Sequence, residues 1–431
     1  MMIRTLDLPT FKSGSLQALK NRGTLTFEKI RPEVQSILDD VRQRGDTALI
    51  RYEKTFDKVN LSRAEIRVTP VEMKNAYKQV SPEIVEAIRQ ISKNIATFHG
   101  AQKRDLWFVE TVKGVSVGQI MRPLERVGIY VPGGKALYPS TVLMTVVPAK
   151  IAGVKEVILC TPPRADGTVH PVILVAAQEA GTDAIYKVGG VQAIGAMAFG
   201  TETIQAVNKI VGPGNKYVNA AKLIVSTSVG IDLPAGPSEV LILADETANP
   251  DYIAIDLLSQ AEHDENTYCM LITTSKKLAQ EVERSLNKLI TKQPRREIME
   301  KALKDNGYII IVEKLAEAID LANDIAAEHL ELHVKSAESL LPQINNAGAI
   351  FIGSNSPVPA GDYASGANHV LPTGGTARIY SGLSILSFMK VIDITKCTLE
   401  GLQILAPWIQ ALAKIEGLEA HNQAIQMRCT K

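Results

Sequence analysis

The feature that most constrains this chain is a run of short apolar segments alternating with helical ones, beginning near residue 127. VGIYV (127–131) and KEVILC (155–160) read as buried strands, and PVILVAAQEAG (171–181) as a helix that stops at a glycine. AIYKVGG (184–190) is a strand again, VQAIGAMAFG a short helix, KIVGPGN a strand and turn, and KYVNAAKLIVSTSVG a helix. Strands that are apolar throughout must be covered on both faces. The stretch 127–238 therefore predicts a parallel sheet sandwiched by helices.

PAGPSEV (234–240) reads as a seam, because VLILADETANPDYIAIDLLSQAEHDE starts a second α/β unit. That unit runs on through the strand TYCMLITT, a charged helix from Lys276 to about Lys292, the strand YIIIV, the helix LAEAIDLANDIAAEH and the strand LELHV, after which AGAIFIG leads to a polar stretch. Upstream, Val34, Ile37, Leu38 and Val41 share one helical face, with Pro32 suited to a first turn. Ser81 caps a second long helix, on which Ile84, Ile88, Ile91 and Ile95 recur at helical spacing. Residues 1 to about 24 read as a polar extension without a period, and the last fifty residues, from about Ser381, as helical.

At 431 residues the chain exceeds what one core usually serves, so two or three domains are expected. A net charge of +1 leaves no surplus to neutralise a phosphate backbone, which argues against nucleic-acid or membrane-surface partners. No run approaches a membrane span and the start lacks an apolar leader segment. Cys160, Cys269, Cys397 and Cys429 are far apart, three of them in apolar contexts that suggest buried reduced thiols. A cytoplasmic, disulfide-free enzyme fits.

No GxGxxG occurs, and GIYVPGGK (128–135) is no phosphate loop, since Ala136 stands where a metal-binding hydroxyl belongs. GDYASGANHVLPT, from Gly361 to Thr373, has neither helical nor strand period yet holds Asp362 and His369, so it reads as a loop bringing a metal ligand and substrate contacts to a cleft. Gln260 and His263 lie three apart at a helix end, whose apolar face carries Ile253, Ile255, Leu257 and Leu258. They suit either a pair of metal ligands or a solvated terminus. Glu328 beside His329 suits proton shuttling or a surface pair. His333, four residues on from His329, lies in a strand pattern and reads as structural. Glu416 and His421, taken alone, read as a solvated helix face.

Taken together, VGIYVPGG, STVLMTVVPAKIAG, GGVQAIGAMAFGT, KIVGPGN, PAGPSEVLILAD, DLLSQAEHD, AAEHLEL and GDYASGANHVLPT resemble blocks of the histidinol dehydrogenase family over nearly the whole chain. The resemblance implies NAD-dependent oxidation of L-histidinol to L-histidine in two steps. It implies one zinc per subunit on Gln260, His263, Asp362 and His421, and Glu328 and His329 as the acid–base pair. Ser238, His369 and Glu416 would complete the substrate contacts, which also include the zinc ligands and His329. Tyr130, Gln192 and Asn215 would contact NAD.

The resemblance further implies a homodimer in which Glu416 and His421 come from the second subunit. The implied architecture is two incomplete Rossmann-like domains with parallel sheets, a small N-terminal extension and a helical C-terminal arm. The boundaries expected are 1–24 for the extension, 25–126 with 239–380 for the first domain, 127–238 for the NAD-side domain and 381–431 for the dimerisation arm.

Overall fold

Six parallel strands form the larger sheet, in the order Arg4–Asp7, Gly307–Ile311, Tyr268–Thr273, Glu239–Ala244, His329–His333 and Ala349–Ile352. The computed structural model describes residues 3–22, 27–133, 137–233 and 236–429. Residues 134–136 of the phosphate-loop look-alike and residues 234–235 of the seam lie outside the described residues. Every residue of the central Glu239–Ala244 and His329–His333 strands is buried, as a doubly covered parallel sheet requires.

The smaller sheet has five parallel strands, ordered Ala184–Lys187, Glu156–Thr161, Arg126–Tyr130, Lys209–Val211 and Gly230–Ile231. Each βα unit expected from the sequence over 127–238 is present. Gly212 follows the Lys209–Val211 strand at φ +126°, and a Cβ there would sit 2.1 Å from the Tyr130 carbonyl oxygen. Only glycine lets these two backbones approach so closely.

Three features differ from the sequence reading. Residues 1–24 are not merely an extension: Arg4–Asp7 is an edge strand of the large sheet, with Arg4 opposite Tyr308. The helices Arg31–Arg44, Pro70–Gln79 and Pro82–Gly100, grouped by sequence with 239–380, pack instead on helices of the small sheet. An apolar helix face announces that it will be covered, but not by which sheet.

The stretch after Ser381 is not all helical either. Met389–Cys397 is a strand, antiparallel to Val115–Pro123, which also pairs with Trp107–Val112. Most of its residues are exposed, so no buried face marked it. Helices Leu399–Ile415 and Glu419–Cys429 follow.

Smaller corrections follow from burial. Ile84 and Ile255 face outward, and Val85 takes the core place that Ile84 was expected to fill. Cys160 and Cys269 are buried free thiols, whereas Cys397 is exposed and Cys429 partly so.

Candidate active site

The adjacent Glu328 and His329 are placed by an uncommon turn. The helix Leu315–Ile325 ends at Ala326, whose φ of +51° is left-handed and disfavoured for a residue with a Cβ. The chain then reverses through Ala327 and Glu328 and enters its strand at His329. Ser238, half-buried, directly precedes the neighbouring strand that begins at Glu239.

Backbone groups of Glu239 orient both members of the pair. Its N–H donates to Glu328 Oε2 at 2.9 Å, and its carbonyl oxygen lies 2.9 Å from His329 Nδ1. A carbonyl can only accept, so Nδ1 carries the hydrogen and the lone pair of a neutral ring is on Nε2. Nε2 lies 3.3 Å from Asp362 Oδ1, within ion-pair reach but without a well-aligned hydrogen bond. Burial pushes Glu328 up to about 8, against the pull of the nearby His329. Burial lowers the affinity of His329 for its proton, but Glu328 and Asp362 outweigh it and raise the ring to about 9.

The Glu239 side chain is itself part of this frame. It is fully buried, receives Arg22 Nε at 2.6 Å and Nη2 at 2.7 Å, and accepts the Gly374 N–H at 2.7 Å. A bidentate Arg–carboxylate pair with a further donor is one arrangement in which a buried charge is tolerated. Arg22 comes from the segment read as a loose extension; nothing in its local pattern signals the role.

Asp362 sits in a short π-helical turn, Ala360–Ala364. Burial would raise its carboxyl, but His329, followed by His369 and His263, holds it below the usual range. His369 Nδ1 lies 2.9 Å from the Asp362 carbonyl oxygen and its Nε2 3.3 Å from Thr141 Oγ1. Asn368 donates to the Met144 carbonyl at 2.6 Å, and Asn94 to the Ala364 carbonyl at 2.8 Å. The 361–373 loop thus straps the large-sheet unit to helices of the small-sheet unit.

Gln260 and His263 end the helix Pro250–Ala261. The Gln260 amide oxygen is buried with no hydrogen-bond partner among the described residues. His263 is open to solvent on one side, yet the crowding protein holds its ring below the usual imidazole range. Amide oxygen, imidazole and carboxylate form a donor set that suits zinc. An orphaned buried amide oxygen has a ready explanation if it meets a cation.

Glu416 and His421 are not brought to this cluster by side-chain bonds. Both are exposed on the C-terminal helices, and neither side chain has a hydrogen-bond or ion-pair partner among the described residues.

Tyr130 ends a small-sheet strand, and Gln192 and Asn215 lie at the starts of helices that follow such strands. The Tyr130 hydroxyl accepts the Gly190 N–H at 3.1 Å. Asn215 caps its helix through Oδ1, accepting from Tyr217 and Val218. Gln192 Nε2 donates at 2.9 Å to Glu53, a fully buried carboxyl that also accepts the Gly189 N–H at 3.1 Å. Glu53 therefore occupies the start of the Gly190–Phe199 helix, where a dinucleotide phosphate sits in many such folds. Sequence reasoning missed it, as it missed the buried His99, which holds Gln102 and Asn368, and His170, which caps the Pro171–Ala180 helix.

The two sheets use opposite edges. The small sheet presents its carboxyl edge, around the point where strand order reverses, as nucleotide-binding α/β sheets do. The large sheet presents the amino edge of Glu239–Ala244 and His329–His333. A doubly wound nucleotide-type sheet together with a buried, adjacent carboxyl and imidazole fits the class of dinucleotide-dependent oxidoreductases.

Comparison with known proteins narrows this. The family model described as histidinol dehydrogenase matches residues 20–429. The chain is 49% identical over 422 residues to histidinol dehydrogenase of Methanosarcina mazei, covering 98% of this chain and 96% of that one. It is 50% identical over 404 residues to that of Moorella thermoacetica, covering 94% and 95%. The crystal structure of histidinol dehydrogenase from Elizabethkingia anophelis superposes with a TM-score of 0.95 at 43% identity, covering 99% of this chain and 98% of that one. The chain belongs to the histidinol dehydrogenase family.

Proposed function

We propose that this chain oxidises L-histidinol to L-histidine, with His329 and Glu328 moving the protons. The observation that carries the reading is the His329 ring, fixed through Nδ1 to the Glu239 carbonyl so that Nε2 is its free basic atom. In the first oxidation Nε2 takes the alcohol proton as hydride leaves the carbon, giving histidinal. In the second, Glu328 takes a proton from water as the water oxygen bonds to the aldehyde carbon; hydride loss from this hydrate anion leaves the carboxylic acid, which sheds its second proton to solvent as the carboxylate. A carboxyl pushed up to about 8 is matched to that exchange near neutrality. NAD, when bound, supplies the hydride acceptor for each step. Tyr130, Gln192 and Asn215 are the residues that would hold it.

Gln260, His263, Asp362 and, from a second subunit, His421 would hold one zinc per subunit. Zinc would supply an anchor for the imidazole and amine of the substrate, so that Ser238, His369 and Glu416 orient the rest. The exposure of Glu416 and His421 supports a homodimer with shared sites. So do the apolar Trp408, Leu412 and Ile415, exposed on the same arm. No helix among the described residues is long and apolar enough to cross a membrane. A cytoplasmic biosynthetic role fits.

The test is stoichiometry. Two NADH should form per histidinol consumed, and activity should fall with a chelator and return with zinc. One NADH with free aldehyde accumulating would reject the reading.

A further inference from the structure

Beneath the acid–base pair lies a second buried polar cluster that the chemistry above does not use. His329, Glu331 and His333 alternate along one strand and so share a face of the sheet. Asp256 stands one turn before Gln260 on the Pro250–Ala261 helix and shares its face. One side-chain nitrogen or oxygen from each of Asp256, Glu331 and His333 lies within 4.8 Å of the others. Glu331 is fully buried and His333 and Asp256 nearly so. Burying three ionisable groups is costly unless they satisfy one another. Glu331 Oε2 meets His333 Nε2 at 3.1 Å, and burial, then the charge of Glu331, raise the Asp256 carboxyl above its ordinary range.

The other Glu331 oxygen points elsewhere. Oε1 accepts the Val358 N–H at 3.0 Å, in the segment that leads four residues later to Asp362. Between them, Gly361 lies flat on Phe351, since a Cβ there would come within 2.6 Å of the ring. Phe351 in turn stands 5.9 Å, centroid to centroid, from His329. One carboxylate on the strand that carries His329 therefore bonds the start of the Asp362 segment and lies within 4.8 Å of Asp256, on the helix that ends just before His263.

We infer that Glu331 is a positioning residue: it ties the Asp362 segment to the Gln260–His263 helix and so sets the spacing of the metal ligands. The inference rests on the reading of Gln260, His263 and Asp362 as ligands. It concerns Glu331 and Asp256, which lie outside that ligand set. Groups that orient metal ligands from behind typically change affinity about 10–100-fold when removed.

The experiment uses the full-length protein loaded with cobalt(II). Visible absorption reports the geometry around the ion, and competition with a chromophoric chelator reports affinity. Glu331→Leu should weaken cobalt binding about 10–100-fold and alter the spectrum, with KM for NAD unchanged. Glu331→Asp keeps the charge but withdraws it by one methylene from Val358; it should shift affinity and spectrum in the same direction and serves if the leucine variant does not fold. Glu331→Gln, which keeps an acceptor for Val358 and a donor for Asp256, should restore near-parental values. Asp362→Asn is the control for the ligand reading.

If Asp362→Asn weakens binding while folded Glu331→Asp has parental affinity and spectrum, the tie is overturned and the ligand reading stands. Unchanged binding in Asp362→Asn would overturn both. Two tightly held cobalt ions per chain would also overturn the tie, because the trio would then itself be a metal site.

Discussion

Glu239 orients His329 and Glu328 together: its carbonyl oxygen lies 2.9 Å from the His329 ring and its N–H donates at 2.9 Å to the Glu328 carboxylate. One peptide residue thus sets the tautomer of His329 and the rotamer of Glu328. Because backbone atoms do this, no substitution at 239 other than proline removes a contact directly. What a mutation can remove is the support beneath them.

Arg22→Met tests that support. It leaves the Glu239 carboxylate buried with only the Gly374 N–H. Breaking a buried pair from one side typically costs about 3–5 kcal/mol. Denaturant unfolding should show a loss of that order, and Arg22→Lys should recover only part of it, since an ammonium cannot reproduce the two-nitrogen fork. A loss under about 1 kcal/mol would mean that water already reaches the pair.

His329→Asn should lower kcat by about 10²–10⁴-fold while binding of histidinol persists. The pH dependence has a defined sign. Only the neutral ring accepts the alcohol proton, and Glu328 and Asp362 favour the charged ring up to about 9 in the free protein. The rate should therefore fall toward acid pH and rise as the ring is deprotonated. A flat profile down to pH 5 would exclude His329 as the base.

Glu53 makes a prediction about stability rather than rate. Burial, then the neighbouring Asp57, raises its carboxyl from 4.5 to about 8. The folded protein thus binds a proton that the unfolded chain has already released. The stabilisation is complete below the unfolded value and is lost as pH rises through the window from 4.5 to about 8. Glu53→Gln should flatten the fall in Tm across that window. Glu53→Ala should raise KM for NAD through the freed Gln192, with KM for histidinol little changed.

Mixing two inactive proteins tests the shared site. After exchange of subunits between His421→Ala and His329→Asn, each mixed dimer should hold one intact site, so about a quarter of all sites should recover. No recovery in verified mixed dimers would place His421 outside its partner's site.

The βαβ rhythm of 127–238 was legible because fully buried strands are apolar end to end. The Glu328–His329 pair stood out because its members are adjacent, and Asp362 because a loop rich in polar groups is conspicuous. Arg22, Glu53, Asp256 and Glu331 were not legible. Each is an ordinary charged residue in its local stretch, and Arg22 reaches its partner across 217 positions. Met389–Cys397 escaped notice because a largely exposed strand has no alternation to display. These are features of tertiary encounter, on which local periodicity is silent.

The edge strand Arg4–Asp7 has a consequence for how the molecule is made. This early segment pairs with Gly307–Ile311, about three hundred residues later in the chain. At about 5–20 residues per second it waits roughly 15–60 s for that partner. The small-sheet unit can meanwhile close upon itself. Arg22 likewise waits for Glu239, 217 positions on, so half of the support beneath Glu328 and His329 is made long before the other half.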